Sequence, residues 1–285
     1  IIPKLGGIKV NEVTTEDIQR LINDLVEQGY SYSQIQKVYN TIGQRYRLAI
    51  QQQRATFNPT VGVHLPRQLK EKENNTVTAL TKDEAKLLIK RAREKYENGT
   101  PIYPRGDLIV LLLQTGMRVG EALALQWSDI NLEEKYISIT KNLVTVKNED
   151  KTKINPQTKK PFATTTIIQD TPKTSHSNRK IPIGDSAIQT LKNIKVYNGK
   201  FDYVYANSKG KPTEYRTLER MFKLMLKNAG IKNKYSLHSL RHTYASLLFA
   251  QGVSDRYISE VLGHSSLAIT HKVYIHIIND LKTKE

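Results

Sequence analysis

Cysteine is absent from the 285 residues. That excludes disulfides and thiolate-held metal centres, and it suits a reducing cytosol. No apolar run approaches the roughly 18 residues of a membrane-spanning helix, and no secretory leader is visible. No nucleotide-binding loop and no internal repeat can be found. Acidic side chains are in short supply: 27 Asp and Glu stand against 44 Lys and Arg, a net charge of +17. An excess of that size predicts a polyanionic partner, of which phosphate backbones are the commonest. Hydrophobic residues make up 38% and charged residues 25%, the balance of an ordinary folded protein long enough for two cores. The chain opens on Ile1 and Ile2 rather than methionine, which predicts a piece of a longer protein with a further domain upstream.

What is present begins with helix signals. Thr14 or Thr15 can cap a helix over residues 12–28, with Ile18, Leu21, Ile22 and Leu25 inward and Gly29 as its stop. A second helix follows Ser31, over residues 32–54. Ile35, Val38, Tyr39, Ile42, Tyr46 and Ala49 line one face. Lys37, Gln44, Arg45 and Arg47 lie on the other, which can track phosphates and base edges or stand in solvent. Residues 58–78 hold Pro59, Gly62, Pro66 and the polar run KEKENNT, the best linker in the sequence. The expected division is a helical unit over 1–65, a linker over 66–78 and a larger unit over 79–285. Residues 1–75 carry 10 basic and 7 acidic residues, a net of +3, which leaves +14 for the rest.

In the larger unit, Thr81 and Glu84 form a capping box ahead of Ala85, Leu88, Ile89 and Ala92. Residues 106–126 read as a helix buried on most sides. Gly116 and Gly120 interrupt it and flank Arg118, which makes sense if the backbone breaks there and projects the arginine. Residues 136–147 read as one strand. A Lys- and Pro-rich loop follows over 148–163, then two strands over 164–172 and 179–183. The last two are joined by a basic hairpin tip with Lys173, and Arg179 joins Lys37, Gln44, Arg45 and Arg47 as a candidate contact to a phosphate backbone. Helices are expected near 185–194, 213–229, 237–251, 254–262 and 267–280.

The densest chemistry lies in residues 236–274: His238 and Arg241 in an H-x-x-R, His264 after Gly263, and then Tyr274. Phosphodiester attack builds negative charge on the non-bridging oxygens, and guanidinium groups match it as planar, bidentate donors. A tyrosine nucleophile must lose a proton of reference pKa about 10, and the leaving oxygen needs one in return. His238 and His242 stand at a spacing that could hold zinc, but no Glu follows the first and no third ligand is in sight. No metal or other cofactor is expected, and His242 is assigned to packing.

Taken in order, TGMRVGEALAL, TPKTSHSNRKIPI, LHSLRHTYA, LGHSS and Tyr274 resemble the catalytic domain of the tyrosine recombinases, the lambda-integrase-like family. The resemblance covers about residues 79–280. It implies a mainly α fold with a small antiparallel β-sheet, a helical core-binding domain and an α+β catalytic domain that together clamp DNA. It assigns Arg118 and Arg241 to the scissile phosphate, Lys173 to the 5′ leaving oxygen, His238 to proton transfer, His264 to the phosphate and Tyr274 to attack. Glu121 resembles a residue that buttresses the site. The implied enzyme is a metal- and ATP-independent recombinase that passes through a 3′-phosphotyrosyl intermediate and a Holliday junction. Its implied partners are two duplex sites, three further copies of itself and an accessory protein of the excisionase type; the apolar Ile275, Ile277, Ile278 and Leu281 of the tail helix can dock onto a neighbouring copy or pack on their own domain. A type IB topoisomerase and a non-catalytic DNA-binding regulator are the alternatives.

Overall fold

Short polar side chains open the helices of the N-terminal unit. In the computed structural model, which describes residues 1–69, 79–150, 152, 154, 164–170 and 178–263, a first turn of helix, α1 (Ile2–Leu5), precedes α2 (Thr15–Glu27). The Asp17 amide donates to the Thr14 hydroxyl, and the Thr14 amide donates back to the Asp17 carboxylate at 3.0 Å. Ser31 and Gln34 repeat the arrangement ahead of α3 (Tyr32–Gln51). Between these helices Gly29 takes a left-handed φ of 76°. Ile18, Leu21, Ile22, Ile35, Ile42 and Tyr46 form the core of this unit, and Leu65 and Leu69 pack against it. The helix stripes read from the sequence are the ones buried. Lys37, Gln44, Arg45 and Arg47 lie exposed on the opposite face of α3.

The chain divides into two compact units, Ile1–Thr76 and Val77–Glu285. In the second, Thr81 and Glu84 cap α4 (Lys82–Ala92) as expected. The next helix, α5 (Gly106–Thr115), is its axis: Leu108, Ile109, Val110, Leu111, Leu112 and Leu113 are all buried. Around it pack α4, α7 (Asp185–Asn198) and α9 (Leu237–Ala250). Packed on α4, α8 (Tyr215–Asn228) contributes Leu218, Phe222, Met225 and Leu226 to the same core. A last described helix, α10 (Asp255–Leu262), runs from a Ser254 cap to a left-handed Gly263.

Of the two glycines around Arg118, only Gly116 breaks the helix. Its φ of 62° ends α5, and a Cβ there would overlap the Tyr244 ring and lie 2.7 Å from Leu262. Gly120 instead sits inside the next helix, α6 (Val119–Ala124), because a side chain there would run into Asn142 and the Leu143 carbonyl. The break therefore makes Arg118 the residue that caps α6.

The strands differ from their expected layout. Residues 136–147 are two strands rather than one: β2 (Tyr136–Ile139) and β3 (Asn142–Lys147). β2 joins β1 (Ile130–Asn131) and β5 (Arg179–Pro182) in an antiparallel sheet, while among the described residues β3 pairs only with β4 (Thr164–Gln169). Hence β4 and β5, the strands that flank Lys173, do not pair with each other. The division has a physical reason: Ile137, Ile139 and Ile181 need one buried face, whereas β3 and β4 carry threonines and no comparable apolar stripe. Lys173, His264, Tyr274 and the tail helix expected near 267–280 lie outside the described residues.

Candidate active site

Arg118 and Glu121 from α6, Arg179 from β5 and Arg241 from α9 meet at one point. α6 begins at Arg118, and Glu121 reaches back from its first turn. Its carboxylate accepts from the Arg118 amide at 2.8 Å and from the Arg118 guanidinium at 2.8 Å. From β5, Arg179 donates both terminal nitrogens to the same carboxylate, at 3.0 and 2.8 Å. Burial alone would raise the Glu121 pKa. The Arg179 bonds and charge, followed by Arg118, outweigh it and hold the group below the ordinary carboxylate range.

Arg241 enters from α9 and is 3% exposed. It donates to the Gly116 carbonyl at 2.9 Å and to the Leu262 carbonyl. Burial, then the nearby Arg118, pulls its pKa down to about 9, with Glu121 opposing; it remains charged at neutral pH. Two of the five N–H donors of a guanidinium are used in this way, and the others have no partner among the described residues.

These arginines converge on the end of α10. The last carbonyls of a helix lack intrahelical partners and form the negative end of its dipole. Here consecutive ones are each taken by a different arginine: Val261 by Arg179 at 2.7 Å, Leu262 by Arg241, and Gly263 by Arg118 at 2.9 Å. Three consecutive carbonyls, Val261 to Gly263, are thus held by three guanidinium groups from three different elements.

His238 lies one turn before Arg241 on α9 and is exposed. Partial burial, then the charges of Arg241 and Arg118, lowers its pKa from the ordinary histidine value and so favours the uncharged ring. His242 is closer to it than a bystander would be: the two rings meet edge to face, 4.7 Å apart. Burial, then His238 and Arg241, takes the His242 pKa to about 4 from 6.5. The unfolded chain therefore binds a proton as pH falls through 6.5, while the fold refuses it down to about 4. Stability is expected to be full above pH 6.5 and to decline from there toward pH 4, with His242→Gln flattening the slope. Chemical denaturation at pH 7 and pH 5 measures this, and parallel slopes for the two proteins would refute it.

The structure thus gathers the described part of the expected set, Arg118, His238 and Arg241, in one place. It corrects Arg179. That side chain is 6% exposed and turned onto Glu121, not onto a DNA-facing surface. The reason is strand alternation: Ile181 and Ile183 are buried, and two residues earlier Arg179 shares their inward face. The alternation was present in NRKIPI, and its basic surroundings hid it.

Arg118 and Arg241 thus stand together beside His238, and the helices that hold them follow a known pattern. Residues 78–280 match the model of the phage integrase family, and the chain belongs to that family. It is a tyrosine recombinase, an enzyme that cuts and rejoins DNA strands. A XerC-like tyrosine recombinase of Caldanaerobacter subterraneus is 29% identical over 98% of this chain and 71% of its own length. The transposase of transposon Tn916 from Enterococcus faecalis is 25% identical, over 97% of this chain and 66% of its own length. Among solved structures, the Tn1549 transposon integrase in complex with a circular intermediate DNA superposes with a TM-score of 0.75 at 18% identity, covering 97% of this chain and 87% of that one. A lambda integrase tetramer bound to a Holliday junction gives 0.63 at 21%, covering 95% and 69%. No helix among the described residues is long and apolar enough to cross a membrane.

Proposed function

We propose that this chain carries out site-specific recombination for a mobile genetic element, through a covalent protein–DNA intermediate. The observation that carries the reading is the pair Arg118 and Arg241, held rigidly before any ligand arrives and joined through Leu262 and Gly263 to the backbone that enters His264. Preorganised donors of this kind are worth most where charge develops in the transition state. Arg118 and Arg241 hold the scissile phosphate, and His264 donates to it. The Tyr274 oxygen bonds to phosphorus while the bond to the 5′ oxygen breaks. His238 takes the phenol proton, and Lys173 gives a proton to the departing oxygen. The 3′-phosphotyrosyl ester keeps the energy of the broken bond, so a 5′-hydroxyl from a second duplex can reverse the step without ATP or metal.

Two duplex sites and four copies of the chain form the synaptic assembly, with the tail helix docking between neighbours and an excisionase-type accessory protein setting direction. Lys37, Gln44, Arg45 and Arg47, exposed on α3, supply phosphate and base-edge contacts. The reaction takes place on the bacterial nucleoid. Relatives named as an integrase of Staphylococcus phage L54a and as the Tn916 transposase support the mobile-element setting.

The test is a duplex nicked close to the cleavage site, so that the released 5′ fragment diffuses away. Wild-type protein should become linked to the 3′-phosphate side, survive denaturation in detergent, and do so equally in EDTA. A protein that stays unlinked, or that links only with added metal, contradicts the reading.

A further inference from the structure

Glu121 presents a problem for a site built to bind an anion. It is a carboxylate 5% exposed, in contact with Arg118 at 2.8 Å, and alone it would cancel charge that a phosphate requires. Arg179 removes the conflict. Both its terminal nitrogens face Glu121 at hydrogen-bonding distance, while its own side chain is only 6% exposed. A cation so placed is shielded from bound DNA. It acts on the carboxylate, and the Arg118 side chain is left 38% exposed to meet the ligand.

We propose that Arg179 is a positioning residue that balances Glu121 and so keeps the Arg118 charge available to the phosphate. The inference rests on the reading of Arg118 and Arg241 as the phosphate-holding pair. With Arg179, the cluster of Arg118, Arg179, Arg241 and Glu121 carries a net charge of two; without it, one. A pentacoordinate phosphorus gains negative charge over the bound diester, so the lost cation is felt more in the transition state than in the ground state.

A second observation gives Arg179 a further reach. Its Nε donates to the Val261 carbonyl at 2.7 Å, next to the carbonyls held by Arg241 and Arg118. It is also the first residue of β5, so it stands where the chain returns from the segment containing Lys173. One buried side chain therefore ties the strand after Lys173, the turn carrying Arg118 and the helix end before His264. Lysine could replace the charge but not the three directed bonds.

The experiment measures single-turnover cleavage of the nicked duplex at saturating protein, with DNA affinity by fluorescence anisotropy and melting temperature alongside. Arg179→Gln is expected to slow cleavage by about 100-fold, with affinity within about threefold because a shielded cation contributes little to ground-state binding. Adding Glu121→Gln removes the unbalanced carboxylate and should recover cleavage at least tenfold over Arg179→Gln when both are assayed below their melting temperatures, where a loss of stability alone would have left the single variant's rate unchanged. Arg179→Lys should fall between the single variant and the wild type. Wild-type cleavage by Arg179→Gln, or a double variant as slow as the single, overturns the proposal. Should Arg179→Gln fail to fold, the double variant decides: cleavage within tenfold of wild type supports the proposal, and a deficit of 100-fold or more overturns it. A wild-type protein that forms no adduct defeats the reading of the site instead, so the two failures are told apart.

Discussion

Tyr274→Phe is expected to bind DNA like the wild type and to form no covalent adduct. The substitution deletes one oxygen, the atom that would bond to phosphorus, and leaves the ring and the cationic site as they were. Affinity comes mainly from phosphate contacts, so it should move by less than about twofold. Adduct formation should drop at least about 10,000-fold, the scale seen when a covalent nucleophile is removed. The rival is Tyr244, which stands one turn after Arg241 on α9 and is the tyrosine nearest the arginines in sequence. Its environment argues against it. The ring packs where a side chain at Gly116 would go, and burial, then the neighbouring Tyr257, raises its pKa to about 12. Deprotonating such a phenol at neutral pH costs several powers of ten, and moving its ring would disturb the turn that presents Arg118. Detergent gels of the nicked-duplex reaction measure the adduct. A wild-type yield from Tyr274→Phe, together with its loss in Tyr244→Phe, would transfer the nucleophile to α9.

Much of this site could be read before its geometry was known, and the division between what could and could not be read is physical. Helix starts were legible because each is a local event within four residues: Thr14 with Asp17, Ser31 with Gln34, Thr81 with Glu84. The buried axis was legible because the run from Leu108 to Leu113 leaves no polar face. The break at Arg118 was legible from glycine, but the two glycines do different things. Gly116 needs its positive φ, whereas Gly120 answers to Asn142 and Leu143, which are distant in sequence. Strand pairing was misread for a related reason. Residues 164–183 look like a hairpin, and the pairing of β5 with β2 depends on a shared apolar face that no local signal reports. Arg179 shows the limit best. Its charge and basic neighbours suggested a surface, yet its partner Glu121 and the Val261 carbonyl come from elements far away in the chain. The carbonyl row at the end of α10 could not be read at all, because backbone acceptors leave no mark on side-chain sequence.

That row makes Arg241→Gln the other variant with a very large expected effect. Arg241 does two jobs at once. Its guanidinium is among the charges the phosphate meets, and it also joins the Gly116 turn to the Leu262 carbonyl. Glutamine is shorter and neutral, so both carbonyls lose a charge-assisted donor in a buried place. Leaving buried acceptors unsatisfied costs about 1–3 kcal/mol each. A total near 4 kcal/mol corresponds to a melting temperature lower by about 10 °C for a domain of this size. Cleavage should fall by at least about 1,000-fold, since a preorganised transition-state donor is lost and Arg118 loses the alignment of the adjoining Gly263 carbonyl. Arg241→Lys separates the two roles. It retains the charge but not the fork, so it should regain part of the melting temperature while cleavage stays about 100-fold down. Thermal melts and single-turnover cleavage of the three proteins, run below the lowest melting point, measure the two effects independently. If Arg241→Gln melts early but cleaves within tenfold of wild type, the phosphate is held elsewhere, and the buried guanidinium is a brace for the Gly116 turn alone.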